Sequence, residues 1–237
     1  MAKKSSIFNV LRRSFGAVLG NLGTVLAFTL FAGTVVGLAD LVIYEWIQKG
    51  IRGSAQAQQS AFVKVMFAWW GVMLVFEVFA GPLMSAAAVF VGRNHSQGQK
   101  SGLYKTLNFG LSRYKRVFKW HAAAWLSIQV GMLVLVPGIL FMLQYAFVDS
   151  IVCLENERWP LKRSKKLTRG RRRRIFVVSL IILVFSQAAG FAELEAIDRG
   201  VPWLIGLMTL MYVLSFFVQV AFYMFYEDRT TPAKEAG

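Results

Sequence analysis

Lysine and arginine are gathered along this chain in blocks that border long uncharged apolar runs. Lys3, Lys4, Arg12 and Arg13 precede the first run, seven basic residues lie between Arg93 and Lys119, and ten lie between Arg158 and Arg174. Cytoplasmic loops of polytopic membrane proteins carry this excess, so the blocks point to an environment and to a sidedness. Composition agrees. Of the 237 residues, 56% are hydrophobic and the mean hydropathy is +0.51, which leaves too little polar surface for a water-soluble domain of this size. The net charge of +15 therefore reads as topology; a soluble nucleic-acid binder spreads its cations over one face of a compact fold, and no nucleic-acid partner is expected.

The expected fold is an all-α, polytopic integral membrane helix bundle in one domain, with six transmembrane helices, both termini in the cytoplasm, and cytoplasmic amphipathic helices. The spans fall at about residues 16–43, 61–92, 120–136, 138–154, 175–192 and 203–226, with cytoplasmic loops at 93–119 and 155–174. The second run is longer than the roughly 20 residues that cross a bilayer, and Pro82 beside Gly81 offers a kink. The stretch from Trp120 to Glu155 is almost wholly apolar and interrupted by Pro137 and Gly138. A single crossing there would carry the following basic block outside, so two short arms turning at Pro137-Gly138 are preferred, with a re-entrant hairpin as the alternative. Spans five and six are joined by an acidic linker, Glu193 to Arg199. The first apolar run exceeds the core of a cleavable signal peptide, so it reads as an uncleaved anchor despite the small residues Ala55-Gln56-Ala57.

Two segments read as helices lying on the cytoplasmic leaflet. Leu103, Leu107, Leu111, Tyr114 and Phe118 recur at helical spacing, with Lys105, Arg113, Lys115, Arg116 and Lys119 on other faces. The N-terminal arm repeats the pattern with Ile7, Leu11 and Phe15. Arg171, Arg172, Arg173 and Arg174 abut span five, where each cation near an anionic leaflet contributes about 1 kcal/mol. Lys105, Arg113, Lys115, Arg116 and Arg171 to Arg174 are the candidate lipid-headgroup residues. A topology anchor is the plainer reading of the same cluster.

The order Val136-Pro137-Gly138-Ile139, then Glu155-Asn156, then Leu161-Lys162-Arg163-Ser164, Leu167-Thr168 and Gly170 ahead of an apolar span resembles a group of bacterial six-pass membrane proteins. That group includes the YciC-like family and the membrane domain attached to glycerophosphoryl diester phosphodiesterases. The resemblance implies the fold and the inner-membrane location, with Pro137, Gly138, Glu155, Arg163, Ser164, Thr168 and Gly170 as motif positions. Asp149 stands where that group often has proline.

Among polar residues in apolar runs, Glu77 is the sharpest, because an unpaired charge in a span costs at least about 2.5–3.5 kcal/mol. It reads either as a proton or substrate site or as a neutral, hydrogen-bonded carboxyl. Asp149 is expected to pair with a loop arginine, and Glu155 to pair with a basic neighbour as a cytoplasmic cap. Gln129, Gln144, Gln187 and Gln219 read as interhelical hydrogen-bonding groups. Gly33 and Gly37 form a GxxxG that permits close helix approach or dimerisation. His95 and His121 have no carboxylate at ligand spacing and Cys153 is the single cysteine, so no metal, cofactor or disulfide is expected. No nucleophile stands with a base, so no catalysis is expected. The resulting reading is a non-enzymatic inner-membrane protein of envelope or lipid homeostasis that engages anionic lipid, with a homo-oligomer or a membrane-protein partner left open. The alternatives are a small transporter or flippase subunit with Glu77 as coupling carboxylate, and an accessory subunit of an envelope complex.

Overall fold

The computed structural model describes residues 6–51, 63–64, 67–68, 71–72 and 74–230, without the side chains of 47–51, 182, 186–187, 190–191 and 194. Lys3, Lys4, Arg52, Ala55-Gln56-Ala57, the Gln187 side chain and part of the expected second span lie outside the described residues. Every regular element among the described residues is helical. Among the described residues, three stretches are long and apolar enough to cross a membrane, namely Leu22–Trp46, Val136–Leu154 and Val201–Thr230, at 25, 19 and 30 residues. At 1.5 Å per residue these reach roughly 28–45 Å, against a hydrocarbon core of about 30 Å. By length and composition the chain is a helical membrane protein.

Helix α1 (Ile7–Gly20) starts at Ser6, whose hydroxyl accepts from the Asn9 N–H. After Asn21 comes α2 (Leu22–Ile51). Residues 74–79 are helical up to a turn at Ala80, and α3 (Gly81–Ser96) begins with Pro82 in its first turn. The break therefore falls where Gly81-Pro82 predicts it, since proline is tolerated at a helix start and not inside one. Then follow α4 (Leu103–Met132), α5 (Val136–Tyr145), α6 (Val148–Leu154), α7 (Pro160–Thr168), α8 (Arg172–Arg199) and α9 (Val201–Thr230).

Several boundaries differ from the expected ones. The amphipathic segment 103–118 and the arm 120–136 form one continuous helix, α4, of 30 residues. Nothing at Lys119-Trp120 interrupts the backbone ladder, and a change from mixed to apolar side chains does not break a helix. The hairpin turns at Leu133-Val134-Leu135, ahead of Pro137, which sits in the first turn of α5. The returning arm is itself broken at Ala146-Phe147 into α5 and α6. Glu193 to Arg199 is not a linker but the last turns of α8, closed by an i,i+4 pair of Glu195 with Arg199. The corner is made instead by Gly200, whose φ of 104° is open to glycine and costly for other residues.

The core gathers around α9, which packs against α2, α3, α8 and α1. Phe216, Phe225 and Met224 of α9 are fully buried with Val25 and Val36 of α2 and Val91 of α3. Glycines set the closest approaches. A Cβ on Gly33 would lie 2.6 Å from the Thr209 backbone nitrogen and 2.8 Å from its Cα, and one on Gly92 would lie 2.4 Å from the Tyr223 ring. The expected GxxxG thus serves an intrachain α2–α9 crossing, with Gly37 beside Ile205. Gly33→Ala should separate the two helices at a cost of about 1–3 kcal/mol, lowering the melting temperature in detergent by roughly 2–12 °C. Gly206→Ala, where a Cβ meets nothing within 4 Å, should leave it unchanged; equal melting of both variants would remove the close-approach argument.

Candidate functional site

Two polar constellations stand out in an otherwise apolar molecule. The first joins the basic blocks at one end of the bundle. Arg13 of α1 donates to Asp228 Oδ1 at 2.7 Å and to Glu227, both at the end of α9. Glu227 also accepts from Ser96 of α3 at 2.7 Å and from Tyr223 at 3.0 Å. Burial pulls on the Arg13 guanidinium, but the hydrogen bonds and charges of Asp228 and Glu227 outweigh it and hold Arg13 above the usual arginine value. One turn away, Glu155 accepts from Tyr226 of α9 at 2.9 Å and from Arg163 of α7 at 3.2 Å.

The motif positions hold the geometry of this end. Ser164 of α7 accepts from the Phe147 N–H at 3.2 Å and donates to the Gln144 carbonyl at 2.7 Å, so one hydroxyl serves the two backbone groups freed at the α5–α6 break. Gln144 and Thr168 are buried. Gly170, at φ 84°, turns α7 into α8. Gly138 lies against Met132, where a Cβ would come within 2.6 Å, and Pro137 starts α5.

The eight basic residues singled out by sequence do not share one environment. Lys105, Lys115 and Arg173 are exposed, and Arg172 and Arg174 are half-buried. Arg113 donates to the Cys153 carbonyl at 3.0 Å, and Arg116 to Asn156 at 2.7 Å and the Glu157 carbonyl at 3.1 Å. Arg171 is buried, and its guanidinium donates to the carbonyls of Phe225 and Asp228 at 3.2 and 3.3 Å. The structure thus corrects its placement among lipid-facing groups: Arg171 binds the C-terminal end of α9, where the Asp228 carbonyl lies in the last turn and lacks an intrahelical donor. Burial pulls its guanidinium below the usual value, with the Asp228 charge opposing.

The second constellation lies inside the bundle. Asp149 of α6 does not reach a loop arginine; it meets His121 of α4, with Nδ1 3.0 Å from Oδ2 and 3.2 Å from Oδ1. Glu77 is on the other side of the ring. A Cβ on Gly81 would lie 2.9 Å from His121 Nε2 and 3.1 Å from Glu77 Oε2, so the absent side chain lets these two groups face a common space. Beyond Asp149 a cavity of about 20 Å³ is lined by Ser85, Val89, Ala146, Asp149, Ser150, Gln219 and Phe222. No group of three or more metal-ligating side chains with metal-site geometry occurs among the described residues. Sequence spacing misses His121 because its partner is 28 positions away. It also misses the anchoring role of Glu227 and Asp228, which read as a polar tail.

The two roles of arginine at the basic end separate by measurement. Arg171→Ala should lower the detergent melting temperature, since losing charge-assisted bonds at a buried site costs about 1.5–3 kcal/mol. Arg173→Ala should leave it within about 0.5 kcal/mol of the parent, and equal losses for the two would contradict the capping role.

Neither a curated protein nor a solved structure matches the chain. Residues 4–228 match the domain family DUF7847, described as a domain of unknown function, and the chain belongs to that family.

Proposed function

We propose that the protein is a non-enzymatic, six-pass protein of the bacterial inner membrane, with both termini cytoplasmic, that engages anionic lipid through its basic end. Its role on this reading lies in envelope or lipid homeostasis. The supporting observation is convergence. The N-terminal arm, both basic loops and the end of the last helix are tied together by Arg13, Arg163 and Arg171, which take up Glu155, Glu227 and Asp228. Lys105, Lys115 and Arg173 remain exposed around them. Beside Lys105, the exposed Leu103 and Leu107 border an apolar groove of about 350 Å³ with Phe28, Phe31 and Leu83. An apolar groove of this kind suits an acyl chain, and exposed Lys105 lies on another face of the same helix. The resemblance of the Pro137–Gly170 motif to YciC-like proteins fits the same reading.

A transporter or flippase subunit is the second reading, favoured by one observation, the His121–Asp149 pair beside Glu77.

Native mass spectrometry after extraction from nanodiscs tests lipid engagement. The protein should retain phosphatidylglycerol or cardiolipin in preference to phosphatidylcholine. Replacing Lys105, Lys115 and Arg173 with glutamine should reduce that preference by up to on the order of 100-fold, at about 1 kcal/mol per charge, and added salt should do the same. Unchanged retention in the triple variant would refute the lipid assignment.

A further inference from the structure

Three half-buried ionisable side chains from three separate segments meet between the helices of this bundle: Glu77 just before the Ala80 turn, His121 on α4 and Asp149 on α6. Only one contact in the trio is saturated. His121 Nδ1 lies within 3.2 Å of both Asp149 oxygens, whereas the buried Nε2 has no hydrogen-bond partner among the described residues. That nitrogen and Glu77 Oε2 border the same space over Gly81. On the far side of Asp149, Ser85 is 2% exposed and its hydroxyl is directed at the Asp149 carboxyl, while Gln219 Oε1 is buried without a partner among the described residues beside the 20 Å³ cavity. That volume is about one water, and the lining offers the two to four polar groups a buried water needs.

The remaining titratable groups facing the trio are few. Tyr212 of α9 adjoins Glu77 and also feels Asp40 of α2. Cys153 of α6 adjoins Asp149, with Arg113 and Arg116 of α4 beyond it. The charges acting on Glu77 are those of His121 and Asp149. Charge bookkeeping then limits the states of the trio. An imidazolium beside an Asp149 carboxylate is neutral as a pair, and an ionised Glu77 would add one uncompensated negative charge to a poorly solvated interior.

We propose that Glu77, His121 and Asp149 form a single proton-binding site, in which the trio holds one exchangeable proton and a water in the Ser85–Gln219 cavity accepts and returns it. In the loaded state Glu77 is a neutral carboxylic acid, His121 an imidazolium and Asp149 a carboxylate. Release passes the His121 Nδ1 proton through Asp149 to the water, which becomes hydronium; His121 is left neutral with its remaining proton on Nε2, on the side of Glu77, and the trio carries one negative charge. Groups so close titrate as one unit. Gly81 is the positioning residue, because a methyl there would displace the imidazole from Glu77 or from Asp149.

The whole protein in lipid nanodiscs supplies two readouts. Infrared difference spectra against pH should show one carboxylic C=O band that shifts as His121 loses its proton and is missing in Glu77→Gln. Nitrogen-15 NMR of labelled histidine, with His95→Gln removing the other histidine, should show the His121 transition move by about one pH unit in Glu77→Gln. Gly81→Ala retains all three groups and should move the same transition, so the site remains testable if Glu77→Gln does not fold. No carboxylic band that shifts with pH, or a His121 curve unmoved by both variants, would overturn the proposal. A site that titrates while proteoliposomes show no proton-linked flux would preserve it and sink the transport reading alone, and neither outcome bears on lipid retention.

Discussion

Contact at backbone distance between α9 and its neighbours is the constraint on which the other features rest. Lipid chains are as apolar as leucine, so burying leucine between helices in a bilayer gains little, and close van der Waals approach has to supply the attraction. Gly33 admits the Thr209 backbone and Gly92 admits the Tyr223 ring. With α9 drawn onto α2 and α3 in this way, its last turn arrives beside Ser96 and Arg13, and Gln219 arrives beside Ser85 and Asp149. The polar end, and the Gln219 wall of the cavity beside Asp149, are consequences of one helix being seated closely enough.

The polar end illustrates how cations divide their work in a protein with far more of them than carboxylates, 27 against 12. Arginines near the axis of the bundle take the acidic groups and the free carbonyls of α9, using the several fixed donors of the guanidinium. Lys105, Lys115 and Arg173 stand exposed instead. Basic blocks that look uniform in sequence are therefore layered by depth.

Helical class and membrane character were legible in the apolar runs, and the break at Ala80 in the pair Gly81-Pro82. On α4 the stripe Leu103, Leu107 and Leu111 is exposed, as a membrane-facing stripe should be, but the side that faces the bundle, with Thr106, Phe109, Gly110 and Val117, was not legible. In a bilayer an apolar stripe can face lipid, and the protein-facing side is marked by small residues instead. Gly110 against Leu83 and Ala86 is such a mark. Glu77 and Asp149 were legible as costly groups inside apolar runs, but the histidine that joins them was not, because a contact across 28 residues follows from helix crossing and leaves no local pattern. The roles of Glu227 and Asp228 were hidden for the same reason.

The Ser164 hydroxyl is bonded to both sides of the α5–α6 break, and α6 is only seven residues long. So short a rod has little stiffness of its own against rotation, and its alignment is set by the serine clamped to its start and by Glu155 moored at its finish. The loop from Glu155 to Gly170 is thus a mechanical handle on the element that carries Asp149, and whatever pulls on that loop from the water side tilts the carboxylate with respect to the imidazole it faces.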